Sequence, residues 1–356
     1  MKLTLVYGTR PEAIKLLKVA EALRAAGNPP TIVCTGQHTD LLRGTPAEDG
    51  MRPDVPLGLP GSNDPFVYAS VVEGALRAKW AKNRPELVVV QGDTASAYAG
   101  ALAASHLEIP VAHVEAGIRS GDVQDPWPEE TFRVEIDKLA SRYFYATFRN
   151  WSNVAGEIYH EDRPLAERES VTGNPGIDAL YAHTQPLTHP QKVQDRVLVT
   201  LHRRESFGAP LAAIVAGLGH AASRHQSLEF TWPVHPNPRV QEIAGGIPSV
   251  RNLVLFPPLP TVPFARMLAA SRCVITDSGG VQEEAAALGV PCLVAREKTD
   301  RPESVEIGLA KVVGRTPEGI LQGLDWALGF HARCTPSDCF GDGHASPRIV
   351  EHLLSR

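Results

Sequence analysis

The stretch Leu3-Thr4-Leu5-Val6-Tyr7-Gly8-Thr9-Arg10-Pro11-Glu12-Ala13-Ile14-Lys15 decides how the rest of the chain is read. Leu3–Tyr7 is a short, largely apolar run that reads as a strand. Ala13, Leu16, Leu17, Ala20 and Leu23 then recur at helical spacing, and Gly27 supplies the helix stop. Thr31–Thr35, Leu87–Gln91 and Val111–Glu115 are further continuous apolar runs of the kind buried on both faces. Separated by helical stretches, they predict a parallel sheet built from right-handed crossover units. The pattern pauses at the polar stretch Ala182–Arg196 and restarts with Val197–Leu201, Glu229–Trp232, Leu253–Phe256, Cys273–Thr276 and Pro291–Ala295. The fold class is therefore α/β, with two Rossmann-like doubly wound domains. Residues 1–180 form the first and 181–340 the second, the boundary falling near Asp178–Arg196. Residues 341–356 carry a C-terminal helix, Ala345–Leu354, that can pack back on the N-terminal domain.

Composition agrees with two domains: 356 residues against a prior of about 150 per domain. Thirty-five basic and 40 acidic residues give a formal charge of −5, which offers no electrostatic reason to seek bulk nucleic acid or an anionic membrane. Hydrophobic content of 43% and charged content of 21% are globular values. No apolar run reaches the ~18 residues of a membrane span, and the apolar opening is too short for a signal peptide. Cys34, Cys273, Cys292, Cys334 and Cys339 are odd in number and include no CxxC pair. That argues against a disulfide framework or zinc ribbon and for a reducing, cytoplasmic compartment.

In open parallel sheets, ligands sit beyond the carboxyl ends of the strands, so the residues after each strand carry the functional reading. After the first strand, Gly8 permits a tight turn and Pro11 suits a first helical turn. A helix N-terminus then lies beside Arg10 and Lys15, which can face a phosphate; an ordinary capped turn with solvated charges is the plainer alternative. Strand Leu87–Gln91 runs into Gly92-Asp93-Thr94, and Val111–Val114 runs into Glu115-Ala116-Gly117. A Trp127-Pro128-Glu129-Glu130 loop follows. A single Asp after a strand is ordinarily an N-cap, and a Glu in a first turn answers the helix dipole. Asp93, Glu115 and Glu129 converging on one crevice are harder to explain as caps. Crowded carboxylates raise one another's pKa, as a general acid or base near neutral pH needs.

The second domain opens with a strand end carrying His202, Arg203 and Arg204. A lone His there is usually structural, but beside two guanidinium groups it fits an anion site. Thr276-Asp277-Ser278-Gly279-Gly280-Val281-Gln282-Glu283-Glu284 is the most informative stretch. The amides of Ser278, Gly279 and Gly280 can cradle a phosphate, and Glu284, about a turn further on, is placed for a ribose diol. Arg301 follows the strand Pro291–Ala295. No GxGxxG opens the first strand, and GxxxxGK[ST], HExxH and GxSxG are absent. The 13 His lack metal-ligand spacing, so no metal and no cofactor are expected.

Together these segments resemble the non-hydrolysing UDP-N-acetylglucosamine 2-epimerase family. The matching stretches are Gly8–Lys15, Thr35–His38, Gly92–Thr94, Val114–Arg119, Pro126–Glu130, His202–Phe207, Pro233–Pro238, Thr276–Glu284, Asp300–Glu303 and Gly341–Gly343. They keep family order across nearly the whole chain, and the ordered set is specific where each alone is weak. The resemblance implies a glycosyltransferase-B-type fold, two Rossmann-like domains facing each other across a cleft, and a homodimer. It implies a UDP-sugar substrate inverted at carbon 2, through loss of UDP, a 2-acetamidoglucal intermediate and re-addition of UDP. By this match Asp93, Glu115 and Glu129 carry the proton and carbocation chemistry. His202 and Arg10 hold or protonate UDP, and Lys15 supports the diphosphate. Ser278, Gly279, Gly280 and Glu284 bind phosphate and ribose, and Arg301 closes the site. Gln37, His38 and His235 match a second, activating UDP-sugar site. A hydrolysing relative, an epimerase for a modified UDP-sugar, a glycosyltransferase and a silent UDP-sugar sensor are the alternatives.

The chain also departs from the family. Leu16-Leu17-Lys18 stands where the family usually has Met-Ala-Pro, and Phe132 stands where an Asn commonly precedes the Arg. Thr261 replaces a Tyr near the uracil, although Phe264 remains. Gly61-Ser62-Asn63-Asp64-Pro65 replaces the Gln- or Arg-containing loop that completes the activating site. The expectation is weaker or absent substrate activation.

Overall fold

A computed structural model describes residues 1–37, 42, 45–157, 169–184, 193–247, 250–330 and 334–355. The chain divides into two compact units, Met1–Ala179 with Gly341–Arg356, and Leu180–Phe340.

The first unit is built on a seven-stranded, all-parallel sheet. Its strands are β1 (Leu3–Tyr7), β2 (Thr31–Cys34), β3 (Val55–Pro56), β4 (Leu87–Gln91), β5 (Val111–Ala116), β6 (Arg142–Tyr145) and β7 (Glu169–Val171), in the order β3-β2-β1-β4-β5-β6-β7. Every residue of β1, β4 and β5 is buried, which is why these three read as predominantly apolar runs. Alternate residues divide between two cores. Val6, Val88, Val90 and Val111 face one, packed by the helices Pro65–Trp80, Ala95–His106 and Glu129–Leu139. Leu5, Tyr7, Val89 and Val114 face the other, with the helices Arg10–Ala25 and Ala345–Leu354. The last helix belongs to this unit physically: Ile349, Val350 and Leu353 enter its core. Asp178 accepts from the amides of Ala345 and Ser346 at 3.0 and 2.7 Å, satisfying that helix's N-terminus.

The second unit repeats the plan with six parallel strands: β8 (Arg196–Thr200), β9 (Glu229–Pro233), β10 (Leu253–Phe256), β11 (Cys273–Thr276), β12 (Cys292–Val294) and β13 (Ala310–Val312). Their order is β10-β9-β8-β11-β12-β13. Val197, Val199, Phe230, Trp232, Ile275 and Leu293 pack under the helices Ala209–Arg224 and Pro317–Leu328. Both orders reverse at the first strand of their unit, and that reversal opens the sheet's carboxyl edge to a ligand.

The long apolar strands match the sequence reading to within a residue or two. β3, β6, β7 and β13 are additional. Each has two to four residues, and Arg142, Glu169 and Lys311 interrupt what apolar pattern they have. Among the described residues, no helix is long and apolar enough to cross a membrane.

Candidate active site

In the first unit, three strand ends bring an ionic lattice together. Glu115 is the penultimate residue of β5, where the register with β6 slips between Val114 and Ala116. Its φ of 69° lies in the left-handed region, which costs a non-glycine residue about 1–2 kcal/mol. The residue is 5% exposed, and Lys15 Nζ donates to its Oε2 at 2.5 Å. Gln91 Nε2, at the end of β4, donates to the same oxygen. Lys15 reaches it because it sits in the second turn of the helix Arg10–Ala25. Asp93, two residues beyond β4, is a quarter exposed and is bound by Arg133 NH2. Arg133 also meets Glu130 Oε2 at 3.3 Å, and Glu130 in turn accepts from the amides of Ser120 and Gly121. Glu129 is the first, half-buried residue of the helix Glu129–Leu139.

Arg10 is half-buried, and no carboxylate pairs with it among the described residues. Glu12, two residues on, folds back under the turn: it accepts from the amides of Gly8 (3.1 Å) and Thr9 (2.7 Å) and from Thr94 Oγ1 (2.6 Å). Complete burial raises its pKa, against the pull of those donors. The β1 turn and the Asp93 loop are thus tied through one side chain. Gly8 is required for this approach, since a Cβ there would lie 1.9 Å from Ser96 Oγ.

Gln37 lies beside the same edge, its Oε1 accepting from Ser96 Oγ at 2.7 Å. His38 falls outside the described residues. In the Gly61–Pro65 loop, Asp64 accepts from the amides of Phe66 and Val67, and the Ser62 hydroxyl accepts from the Asp64 amide. Asp64 of that loop is thereby committed to capping the helix Pro65–Trp80.

The second unit presents a different kind of edge. β11 ends in Thr276, and Asp277 is fully buried, accepting from the amides of His202 and Arg203 at 3.0 and 2.9 Å. Asp277 Oδ1 also lies 3.5 Å from His202 Nδ1. Burial holds His202 below the ordinary imidazole value, and Arg203 adds to that, against the pull of Asp277. His235 stacks on His202 with ring centroids 5.5 Å apart, so these two histidines share one surface. Ser278 stands at the N-cap of the helix Gly279–Leu288; its own amide donates to Thr276 Oγ1 at 3.0 Å, which leaves the amides of Gly279 and Gly280 at a positive helix end. A Cβ on Gly279 would lie 3.3 Å from Arg301 Cζ, so the guanidinium lies against the turn. Arg301 is fixed there by Glu283 and by Asp300 at 3.1 Å, and Asp300 is shared with the fully buried Arg296, also at 3.1 Å. Glu284 is half-buried, one residue beyond the ion-paired Glu283. Phe264 is half-buried in the helix Thr261–Ala270.

Several members of these lattices escape a reading that follows strand ends. Gln91 is the last residue of its strand rather than one beyond it, while Glu130 and Arg133 form an i, i+3 charge pair in the first turns of the helix Glu129–Leu139. Asp277 is the residue just before the glycine turn. Among the described residues, no group of three or more His, Cys, Asp or Glu is placed to share a metal ion.

The two parallel doubly wound units thus present one carboxyl edge of ion-paired acids and one carboxyl edge with a glycine-turn helix end. The family model for UDP-N-acetylglucosamine 2-epimerase matches residues 21–354. UDP-N-acetylglucosamine 2-epimerase of Escherichia coli K12 is 36% identical, over 99% of this chain and 98% of its own. The crystal structure of the Neisseria meningitidis UDP-GlcNAc 2-epimerase bound to UDP-GlcNAc superposes with a TM-score of 0.90 at 31% identity, covering 99% and 100% of the two chains. The Methanocaldococcus jannaschii enzyme in complex with UDP-GlcNAc and UDP gives a TM-score of 0.86 at 31% identity, covering 99% of each chain. The chain belongs to the UDP-N-acetylglucosamine 2-epimerase family, and it is an enzyme of the isomerase class. Acinetobacter baumannii MurG, at 17% identity and a TM-score of 0.56, shares the fold alone.

Proposed function

We propose that the protein interconverts UDP-N-acetylglucosamine and UDP-N-acetylmannosamine without hydrolysing either, supplying precursor for envelope polysaccharide in the cytoplasm. The observation that carries this reading is the pair Asp93 and Glu115, two carboxylates at one sheet edge, each bound to its own cation. The hydrogen on carbon 2 is barely acidic until the anomeric carbon–oxygen bond weakens. That bond breaks with both electrons leaving on UDP, and a carboxylate takes the carbon-2 proton. The electrons of the broken carbon–hydrogen bond form the carbon 1–carbon 2 double bond of 2-acetamidoglucal. Protonation of carbon 2 on the opposite face, with re-addition of UDP at carbon 1, completes inversion and returns every atom. Asp93, Glu115 and Glu129 supply base, acid and charge stabilisation.

The departed diphosphate needs cations and amides: Arg10 and the Ser278–Gly280 helix end are suited to it, with His202 as proton donor. Glu284 is suited to the ribose. Phe66, Val67, Val71, Val123 and Trp127 are exposed apolar side chains of the first unit, which supports a homodimer. The capping role of Asp64 supports weak or absent substrate activation. Conversion of the mannosamine epimer without added activator should therefore be hyperbolic, and an absolute requirement for activator would remove that part.

Proton NMR with UDP-N-acetylglucosamine in deuterium oxide tests the main reading. Both epimers, deuterated at carbon 2, are expected. Free N-acetylmannosamine with UDP would replace it by a hydrolysing activity, and unchanged substrate would exclude this sugar.

A further inference from the structure

We propose that His113 is a positioning residue, held as an imidazolium between Asp137 and the Gly92 carbonyl, and that this clamp sets the separation of Asp93 and Glu115. The proposal rests on the reading of those two carboxylates as proton-transfer groups. His113 lies in the middle of β5, and both its side chain and that of Asp137 are fully buried. Its Nδ1 is 2.6 Å from Asp137 Oδ1, and its Nε2 is 2.8 Å from the Gly92 carbonyl oxygen. Both partners only accept. A neutral imidazole carries one N–H and would point a lone pair at one of these oxygens, so the geometry calls for a proton on each nitrogen.

Asp137 does more than hold the ring. Its Oδ2 accepts the Gly117 amide at 3.1 Å and pairs with Arg119 at 2.8 Å. Gly92 immediately precedes Asp93, and Gly117 follows Glu115 by two residues. One buried carboxylate therefore reaches both loops, one directly and one through His113. Burial alone would raise the Asp137 carboxyl, but His113 and Arg119 hold it below the usual range. Arg119 pairs onward with Glu157 at 2.7 Å, so two cations and two anions balance. At its far end Glu157 meets solvent. The network's product is the spacing of two strand ends, and displacing a catalytic group by about 1 Å costs on the order of a hundredfold in rate.

Nitrogen NMR of the protein labelled with ¹⁵N-histidine tests the charge directly. Two directly protonated ring nitrogens on His113 are expected at pH 7.5; a neutral tautomer there would overturn the proposal. His113→Gln should lower kcat about a hundredfold while KM and UDP affinity stay within about threefold. Asp137→Asn, whose amide nitrogen can donate to a neutral ring that still donates to Gly92, should lose no more than about tenfold. His113→Gln at wild-type kcat, or with kcat reduced only in proportion to the folded fraction, would overturn it too. If Asp93→Asn and Glu115→Gln both leave carbon-2 exchange intact, the parent reading fails, whatever the His113 resonances show.

Discussion

The two units share a strand order and differ in what their carboxyl edges present. The first offers side chains: Asp93 and Glu115, each locked to a cation, with Glu115 on strained backbone. The second offers backbone: the amides of Gly279 and Gly280 at a helix end, with charged residues packed against the turn. On the proposed function, the difference separates two tasks. Proton transfer needs titratable atoms held to a fraction of an ångström, which buried ion pairs and a left-handed Glu supply. Anion binding needs many weak donors converging on one point, which a helix N-terminus supplies without any ionisable group.

The sharpest way to break this comparison is to neutralise the acids. Glu115→Gln or Asp93→Asn should slow carbon-2 exchange about a thousandfold, close to 4 kcal/mol of barrier, while UDP affinity by calorimetry stays within a few fold. Equal losses in binding and exchange would show that the tasks are not separate. Gly117→Ala probes the strained corner. Its φ of 78° and an Asn150 carbonyl oxygen 2.1 Å from the added Cβ predict a loss of at least about 2 kcal/mol in denaturant unfolding. An unchanged midpoint would mean that the β5 corner is soft.

Arg301→Lys tests the other edge. It keeps the charge but loses the planar fork between Glu283 and Asp300, so UDP should bind about tenfold more weakly, with exchange at saturation little altered. A fall in saturated turnover larger than the fall in affinity would move Arg301 into the chemistry. The smallest effect concerns His202. Its folded value lies below the ordinary 6.5, so the folded chain binds fewer protons there than the unfolded one. Its contribution to stability is complete above 6.5 and is lost as pH falls through the depressed value. Thermal melts of His202→Gln between pH 5 and 8 should show a shallower acid decline than the parent, and identical slopes would argue against the assignment.

Much of this was legible before any coordinate. β1, β4 and β5 announce themselves because strands buried on both faces must be continuously apolar, and the residues after them are then the ligand edge. Gly279-Gly280 announces a bare helix end. The lattice around the acids was not legible. Lys15 reads as a phosphate ligand from its place in the first helix, yet it lies against Glu115, 100 residues away in sequence. His235 reads as separate from His202, yet the rings stack. Arg133 and Asp137 read as ordinary helix charges until helix Glu129–Leu139 packs on the sheet.

The amino-acid order alone determined the parallel architecture and which residue types follow each strand, because hydrophobic periodicity and glycine turns are local signals. Tertiary structure alone decided which acid meets which cation, the left-handed turn at Glu115 and the Asp137–His113 bridge between two loops. Those depend on side chains from distant segments meeting at hydrogen-bond distance, and a partner at 2.6 Å leaves no mark on the spacing of either residue in the sequence.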